Sequence, residues 1–334
     1  MWGGIRTRAA GCIALLYLLF WTLTGLPSGT RHWERAAPQH QCTDEVWHQG
    51  SWLDTPPGPC PPQPPLATCN ASSSQQWAFS SPARACGARY LDPTHLRRAL
   101  KGQTMMFIGD SITRHLAAAL LRAVGSTGAR GGVLISPCAP GLGGALLLVT
   151  LQPPGKSSTA DEVVVGHADF DLTLPGRDAR LSFLWRPYPW NVTEALLEEV
   201  PALPRTPSVV IASFCLWHAL HVRDADAFAE DAAELSAAAA KVGTRLPGLR
   251  LLLCTCPHTV TALQGTAAKR EALTPRRVAA YDAALRAQPA ATWRRLGVAA
   301  LSRACGDACS ADGVHPQPVV FDALVQVMLG MLGV

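Results

Sequence analysis

The sequence predicts an α/β protein built on a mostly parallel β-sheet that helices cover on both faces, a three-layer arrangement. After Leu96, short apolar runs of strand length alternate with amphipathic helical segments, a pattern typical of parallel sheets. The chain has 334 residues, of which 48% are hydrophobic and 16% charged, so it can bury one large core and carry a small extra module. The formal net charge of +5 is scattered rather than gathered in a run, which argues against nucleic-acid binding.

The N-terminus contains a candidate membrane segment. Arg6 and Arg8 precede an uncharged apolar run over residues 9–26, and a helix of this length spans about 27 Å, close to the thickness of a hydrocarbon core. Positive charge on its N-terminal side predicts an uncleaved signal-anchor, with residues 1–8 in the cytosol and the remainder in a lumen. A cleaved signal peptide and a secreted protein are the alternative.

The next part of the chain favours a lumenal environment. Residues 27–41 are polar and aperiodic, as in a short stem, and residues 42–99 are rich in Cys, Pro, Ser and Trp, with too little aliphatic mass to fold by burial alone. We expect disulfides to hold this segment against the main domain, as an oxidising compartment allows. Both asparagines of the chain, Asn70 and Asn191, stand in glycosylation sequons.

Residues 100–334 carry the strands and helices of the predicted α/β domain. Apolar runs predict buried strands at 104–108, 145–151, 181–185, 209–212 and 249–254. Helices are predicted directly after Gly109, from Asp224, from the Thr274-Pro275 cap and from near Pro316, because apolar side chains recur there at helical spacing. In parallel sheets of this kind the active site lies at the carboxyl ends of the strands.

The first predicted strand ends in the most informative motif of the chain, Gly109-Asp110-Ser111-Ile112-Thr113-Arg114. Such a turn presents a serine at the start of a helix, where backbone N–H groups face any anion that forms beside it. Gly109 allows close backbone approach, and Asp110 can cap the helix. An ordinary strand–helix turn with a capping serine would have the same residues, so this motif alone does not establish catalysis.

A serine nucleophile needs an oriented base, and the turn Asp312-Gly313-Val314-His315 before the last helix offers one. The spacing of three residues lets a carboxylate and an imidazole emerge side by side. If Asp312 holds one ring nitrogen, His315 can take the proton from Ser111. The alternative is a solvent-exposed loop histidine.

Together these residues resemble a known family. Gly-Asp-Ser-x-x-Arg at 109–114 and Asp-x-x-His at 312–315 are similar to the PC-esterase group of the SGNH-type hydrolases, and most of all to the plant trichome-birefringence-like polysaccharide O-acetyltransferases. Two further stretches resemble segments that follow the same order along the chain in that family: Trp77 and Cys86 with residues 91–100, and residues 183–188. The resemblance covers about residues 42–334.

The resemblance implies a Golgi O-acetyltransferase with a lumenal SGNH-like domain that acts on a polysaccharide or glycan. In that reading Ser111 is acylated, His315 is the base and then the acid, and Asp312 orients it. The remaining candidate residues fall into two groups: Gly109, Asp110, Arg114 and Ser213 at the oxyanion site or positioning the turn, and Trp185, Trp217 and His218 at the substrate. No bound cofactor and no metal are expected, and an acetyl donor is the co-substrate.

Two departures from the family pattern keep alternatives open. Ser213 stands where the plant enzymes have an asparagine that donates to the oxyanion, and its hydroxyl is the candidate substitute. His315 is followed by Pro316 rather than by the usual Trp-Cys, so a terminal disulfide is expected to use Cys305 or Cys309 instead. An esterase that removes acyl groups and a non-catalytic glycan-binding protein are the two alternatives to acyl transfer.

For the other cysteines, we expect Cys42, Cys60, Cys69 and Cys86 to be bonded as well, and Cys215, at the end of an apolar strand, to be a buried free thiol.

Overall fold

A computed structural model of the chain describes residues 42–54, 75–125, 134–135, 167, 169–174 and 178–334. Several predicted features lie outside these residues: the cytosolic tail (1–8), the membrane segment (9–26), the stem (27–41), the sequon at Asn70, Cys60 and Cys69, and the strand at 145–151. Among the described residues, no helix combines the length and the apolar character needed to cross a membrane.

The core of the fold is one sheet, and seven strands of the described residues form it, in the order β4-β5-β6-β3-β7-β8-β9. From β6 to β9 neighbouring strands are parallel, whereas β5 pairs antiparallel with β6 and β4 antiparallel with β5. The strands are β3 (Thr104–Gly109), β4 (Leu134–Ile135), β5 (Phe170–Leu174), β6 (Ala179–Trp185), β7 (Val209–Ser213), β8 (Arg250–Cys254) and β9 (Arg294–Leu296). The predicted three-layer, mostly parallel α/β fold is confirmed.

Strands β4, β5 and β9 escaped sequence analysis because they are short or half-polar. β4 has two residues and β9 three, and β5 alternates buried and exposed positions, with Asp171 forming an ion pair with Arg180. They lack the continuous apolar run that marks β3, β7 and β8.

Helices cover the sheet and connect its strands. In chain order they are α1 (Asp44–Trp47), α2 (Ser81–Ala85), α3 (Pro93–Ala99), α4 (Ser111–Gly125), α5 (Pro189–Glu194), α6 (Val200–Ala202), α7 (Cys215–His221), α8 (Ala225–Arg245), α9 (Ala267–Ala272), α10 (Pro275–Arg286), α11 (Val298–Cys305) and α12 (Pro318–Met331). Short π and 3₁₀ turns lie at Ala195–Glu199, Thr261–Leu263 and Asp307–Cys309.

The apolar stripes predicted for the longer helices face the core. Helix α4 packs against α12 and the centre of the sheet, while α8 packs against α5 and α10. Predicted inner residues of α8 and α12, among them Phe228, Leu235 and Leu324, are fully buried. Helix α8 begins after Asp224, whose carboxylate accepts from the amides of Asp226 and Ala227, as expected for a capping residue.

The N-terminal segment packs on the last part of the chain. Its hairpin joins β1 (Gly50–Asp54) to β2 (Gln75–Phe79), and α1 contacts α12 and β9. The Asp44 carboxylate accepts from the backbone N–H of Arg295 (2.7 Å), and Trp52 Nε1 donates to the Leu301 carbonyl (3.2 Å). A disulfide between Cys42 and Cys86 closes the segment, which confirms the expectation of disulfides in this region.

One cysteine prediction is wrong. Cys215 is not a free thiol but is bonded to Cys256, with Cα atoms 5.8 Å apart. The two residues follow β7 and β8, which are parallel neighbours, so both emerge at the same edge of the sheet. The free, buried cysteine of the described residues is Cys254, and Cys305 pairs with Cys309.

His48 predicts an acid-sensitive attachment of the N-terminal segment. Gly297 N–H donates to His48 Nε2 (2.6 Å), and burial lowers the pKa of His48 from 6.5 to about 4 although Asp44 opposes that shift. The folded protein therefore holds the neutral ring, so its stabilising contribution is complete above pH 6.5 and is lost as the pH falls towards 4. We expect the free energy of unfolding to drop over that interval by up to about 3 kcal/mol.

Denaturant unfolding at pH 7 and pH 4.5 measures this effect. His48→Gln should flatten the pH dependence, whereas the same substitution at the exposed His95 should leave it as it is. Equal pH dependence in the wild type and His48→Gln would show that His48 is not the responsible group.

Candidate active site

Three strand ends meet where the sequence predicted the site. In the parallel register, Gly109 of β3 lies opposite Trp185 of β6 on one side and Ser213 of β7 on the other. Gly109 has φ +142°, and a Cβ there would lie 1.8 Å from the Ser213 carbonyl oxygen. Only glycine permits this approach. Asp110 N–H donates to the same carbonyl (2.9 Å), which ties the turn before Ser111 to β7.

Ser111, His315 and Asp312 form a continuous hydrogen-bonded chain. Ser111 occupies the first turn of α4, and its Oγ lies 2.7 Å from His315 Nε2. His315 Nδ1 lies 3.0 Å from Asp312 Oδ2. With the Nδ1 proton directed at the carboxylate, Nε2 is free to accept the serine proton. The two motifs singled out in the sequence are therefore brought into direct contact through Ser111 and His315, which lie 204 residues apart.

The Asp312 turn orients its carboxylate through the backbone. Asp312 Oδ1 accepts from the N–H groups of Val314 (3.0 Å) and His315 (2.8 Å), and Gly313 supplies the positive φ of +80° that the turn requires. Burial raises the pKa of Asp312, but hydrogen bonds from the His315 side chain and backbone outweigh burial and lower the pKa well below its usual value. Asp312 is therefore an anion beside the His315 ring.

Asp110 and Ser213 form a buried support beneath the nucleophile. Asp110 is completely buried, and its Oδ1 accepts from Ile112 N–H and from the Ser213 hydroxyl, each at 3.0 Å. Burial raises the pKa of Asp110. Asp110 thus caps α4 as expected. Ser213, however, directs its hydroxyl proton at Asp110, so it positions the turn and does not replace the family's oxyanion donor in this arrangement.

His115 belongs to the site and was missed in the sequence. Its ring packs edge-on against His315, with centroids 5.4 Å apart, and stacks on Phe321 of α12. Burial, together with the nearby His315, Arg114 and Arg122, lowers the pKa of His115 to about 3, so the ring is neutral. The available signal was its position four residues after Ser111, one helical turn along the same face of α4.

Lys269 is a second residue that the sequence did not single out. Its Nζ lies 3.9 Å from Asp312 Oδ2, the oxygen that faces His315. It comes from α9, far from either motif along the chain, and no local pattern marks it.

Aromatic side chains form a ledge beside Ser111, at the ends of β6 and β7. Trp217 stands nearly perpendicular to Trp185 (85°, centroids 5.4 Å apart), and Tyr188 stacks on Trp190 (5°, 4.6 Å). The Trp190 side chain is exposed, whereas the other three are half-buried, and the His167 ring stacks on Trp185 (14°, centroids 4.1 Å apart). We call Trp185, Tyr188, Trp190 and Trp217 the aromatic ledge.

Two predicted site residues have supporting positions. His218 is fully buried, close to Tyr281 Oη (3.3 Å) and to Asp231 Oδ2 (3.4 Å). The prediction that it contacts substrate therefore does not fit this arrangement; it packs under Trp190 instead. The Arg114 guanidinium lies over the Trp185 ring at 5.7 Å and links the first turn of α4 to the aromatic ledge.

No cluster of three or more His, Cys, Asp or Glu side chains suited to a metal ion occurs among the residues that the structure describes. The chemistry available here is that of a serine hydroxyl, an imidazole and an oriented carboxylate, which is suited to covalent acyl transfer.

A three-layer sheet with a Gly-Asp-Ser turn at its central strand end and an Asp-x-x-His turn before the last helix is the arrangement that the resemblance to PC-esterase, SGNH-like proteins implies. The chain is related to the Arabidopsis thaliana protein named ALTERED XYLOGLUCAN 9, with 23% identity over 275 residues, 77% of this chain and 67% of the relative. The resemblance drawn from the sequence motifs is thus confirmed.

No family model matches the chain. A solved structure of a GDSL-like lipase from Parabacteroides merdae aligns with a TM-score of 0.40 and 15% identity, covering 70% of this chain and 97% of that one.

Proposed function

We propose that the protein is an O-acyltransferase that carries an acetyl group from a donor to a hydroxyl of a polysaccharide or glycan. The observation that supports this most directly is the chain from Ser111 Oγ through His315 to Asp312, placed beside the exposed aromatic ledge. Aromatic faces suit sugar rings, and the name of the Arabidopsis relative refers to xyloglucan, a polysaccharide.

In the proposed reaction, His315 Nε2 takes the Ser111 proton as the hydroxyl attacks the acyl carbonyl. The proton then passes to the leaving group, and the acyl group stays on Ser111. An acceptor hydroxyl repeats the sequence in reverse: His315 takes its proton, the new ester forms, and Ser111 regains its hydrogen. The N–H groups at the start of α4 face the oxyanion, and Asp312 stabilises His315 while it is charged.

Hydrolysis is the second candidate, and the exposure of the site favours it. The side chain of Asp312 is 42% exposed and that of His315 is 24% exposed, so water reaches the catalytic base when no acceptor is bound. The same acyl-serine would then be released to water. An acceptor seated on the aromatic ledge would favour transfer over hydrolysis.

We place the protein in the secretory pathway, with the α/β domain in the Golgi lumen and residues 9–26 as a single membrane anchor. Three disulfides among the described residues support an oxidising compartment. A secreted form of the same domain is the alternative.

Full-length protein purified from eukaryotic cells and incubated with an acetyl donor and a panel of glycans tests the function. We expect acetylated glycan by mass spectrometry, in competition with free acetate, and neither product with Ser111→Ala. Free acetate alone across all glycans would select the esterase, and no product would remove the enzymatic proposal. Recovery in the membrane fraction with a glycosidase-sensitive mass would support the proposed location; recovery of an unglycosylated protein in the cytosol would contradict it.

A further inference from the structure

The glycosylation sequon Asn191-Val192-Thr193 lies within helix α5, next to one end of the aromatic ledge. Tyr188 caps the start of α5, and Trp190 directly precedes Asn191, so two of the four ledge residues belong to the same helical turn as the sequon. Val192 is fully buried and fixes α5 on the core, whereas Trp190 is 45% exposed. The fold therefore holds the sequon beside an aromatic surface that faces solvent.

The side-chain amide of Asn191 is available for modification. Asn191 is half-buried, but its amide makes no hydrogen bond within the part of the chain that the structure describes, and neither polar atom of that amide is buried. A sugar attached to the amide nitrogen would therefore break no hydrogen bond of the folded protein. The amide has no role in holding α5 in place.

Thr193 gives an independent observation. Its Oγ1 is buried and has no hydrogen-bond partner among the described residues. A buried hydroxyl without a partner costs free energy, and a valine of the same shape would avoid that cost. The folded structure therefore does not explain a threonine here. The glycosylation signal does, because it requires Ser or Thr two residues after the asparagine, and the hydroxyl is read on the unfolded chain before α5 buries it.

Tyr188 and Trp190 offer a surface for the first sugar of such a glycan. Their rings stack in parallel (5°, centroids 4.6 Å apart), and Tyr188 precedes Asn191 by three residues, the spacing at which side chains on a helix are neighbours. Of the large hydrophobic side chains exposed in the described residues, Trp190 is the aromatic one. Aromatic faces suit sugar rings. A sugar joined to Asn191 also reaches this pair without the entropic cost of bringing two molecules together.

We propose that Asn191 carries an N-linked glycan and that the first sugar of this glycan packs on Tyr188 and Trp190. The inference rests on the proposed placement in the secretory pathway, and it adds the residue that is modified and the surface that the glycan covers. The chain's own sugar then occupies this end of the aromatic ledge. A polysaccharide acceptor is left with the other two ledge residues, Trp185 and Trp217, which lie at the strand ends beside Ser111.

The modification is the transfer of an oligosaccharide from a lipid-linked diphosphate by a transferase of the cell. A bond forms between Asn191 Nδ2 and C1 of the first sugar, and the bond from C1 to the diphosphate oxygen breaks. The electron pair of the broken bond stays on the diphosphate, which leaves with the lipid. The amide nitrogen gives up one of its two protons. The middle residue of the sequon, Val192, permits this step, because only proline is excluded there.

Peptide mass spectrometry of the full-length protein from eukaryotic cells measures the modification. We expect the peptide that contains Asn191 to carry N-acetylhexosamine in the wild type and in Thr193→Ser, and to be unmodified in Thr193→Val and Asn191→Gln. Thr193→Val is the matched control, because it removes the hydroxyl but keeps the shape of the side chain and leaves Asn191 in place. Asn70→Gln, which removes only the other sequon, should leave the modification at Asn191 unchanged.

The same spectra separate this inference from the proposed function. A glycan at Asn70 with none at Asn191 would overturn the inference while the lumenal location stands. Unmodified peptides at both asparagines would overturn the inference together with that location. Neither result depends on acyl transfer, which is measured on Ser111.

Thermal unfolding of Asn70→Gln, in which only Asn191 can be modified, measures the packing on the aromatic pair. The glycosylated protein should unfold about 2–4 °C above the protein from which an amidase has removed the whole glycan. Asn191→Asp is the control for that treatment, because the amidase leaves an aspartate. An endoglycosidase that leaves only the first sugar should preserve the difference, since that sugar makes the contact. Trp190→Ala should abolish it. A glycan at Asn191 without such a difference, or a difference that persists in Trp190→Ala, would overturn the proposed packing.

Discussion

Replacing Ser111 with alanine is expected to lower the rate of acyl transfer by about 10⁴- to 10⁶-fold while the domain stays folded. The hydroxyl is the group proposed to be acylated, and its Oγ lies 2.7 Å from Nε2 of His315, the proposed base. A serine-directed organophosphonate should label the wild type at Ser111 and should leave the variant unlabelled. Thermal unfolding should be nearly unchanged, since the substitution removes one oxygen atom from a residue at the start of a helix.

His315→Ala should have nearly the same effect, because members of a catalytic triad act as a unit and their losses do not add. Asp312→Asn should retain more labelling than His315→Ala, since the imidazole still reaches Ser111 but lacks its orienting charge. Ser80→Ala is the matched control, because Ser80 caps the short helix α2 and has no part in the site. Undiminished turnover by Ser111→Ala would contradict the nucleophile assignment.

Gly109→Ala is expected to destabilise the domain by about 4 kcal/mol or more and to abolish activity. The new Cβ would lie 1.8 Å from the Ser213 carbonyl oxygen, and the backbone at φ +142° does not suit an L side chain. Strands β3 and β7 would have to separate at the point where the Asp110 N–H bonds to that carbonyl. Denaturant unfolding and organophosphonate labelling measure the two effects.

Comparison with Gly102→Ala separates the steric clash at position 109 from the cost of a positive φ. Gly102 also has a positive φ, of +74°, but nothing lies within 4 Å of a Cβ built there. Its substitution should cost only about 1–2 kcal/mol, the penalty of left-handed backbone, and should leave labelling intact. If the two variants were equally stable, the close approach of β3 to β7 would not be what requires glycine at position 109.

The central part of the fold could be predicted because its strands are buried on both faces. Met106, Phe107 and Ile108 of β3 form a continuous apolar run. Where amphipathic helices flank such a run, it predicts a strand that is buried on both faces. Strand β5 could not be predicted in this way, because its exposed Thr173 and half-buried Asp171 interrupt the run. Partners that bury such a strand come from elsewhere in the chain.

The hydrogen-bonded chain of Ser111, His315 and Asp312 could be predicted for a different reason. Ser111 and Asp312 each lie in a local turn whose residue types carry the chemistry, so short motifs sufficed. The contacts around these turns could not be predicted from short motifs. The Ser213 hydroxyl bonds to Asp110 rather than facing the oxyanion, and Cys215 pairs with Cys256, because parallel pairing of β7 with its neighbours decides both contacts. His115 was identifiable from helical spacing but drew no attention without His315 beside it.

The distance along the chain between Ser111 and His315 has a consequence for biosynthesis. The ribosome makes Ser111 204 residues before its base, so at about 5–20 residues per second roughly 10–40 seconds pass before His315 exists. During that interval the hydroxyl has no partner that can activate it. Trp47 packs against Gly330 of α12, so the early segment also docks only after α12 has been made. A chain that terminates before residue 315 would therefore lack both the proposed base and the helix on which Trp47 packs.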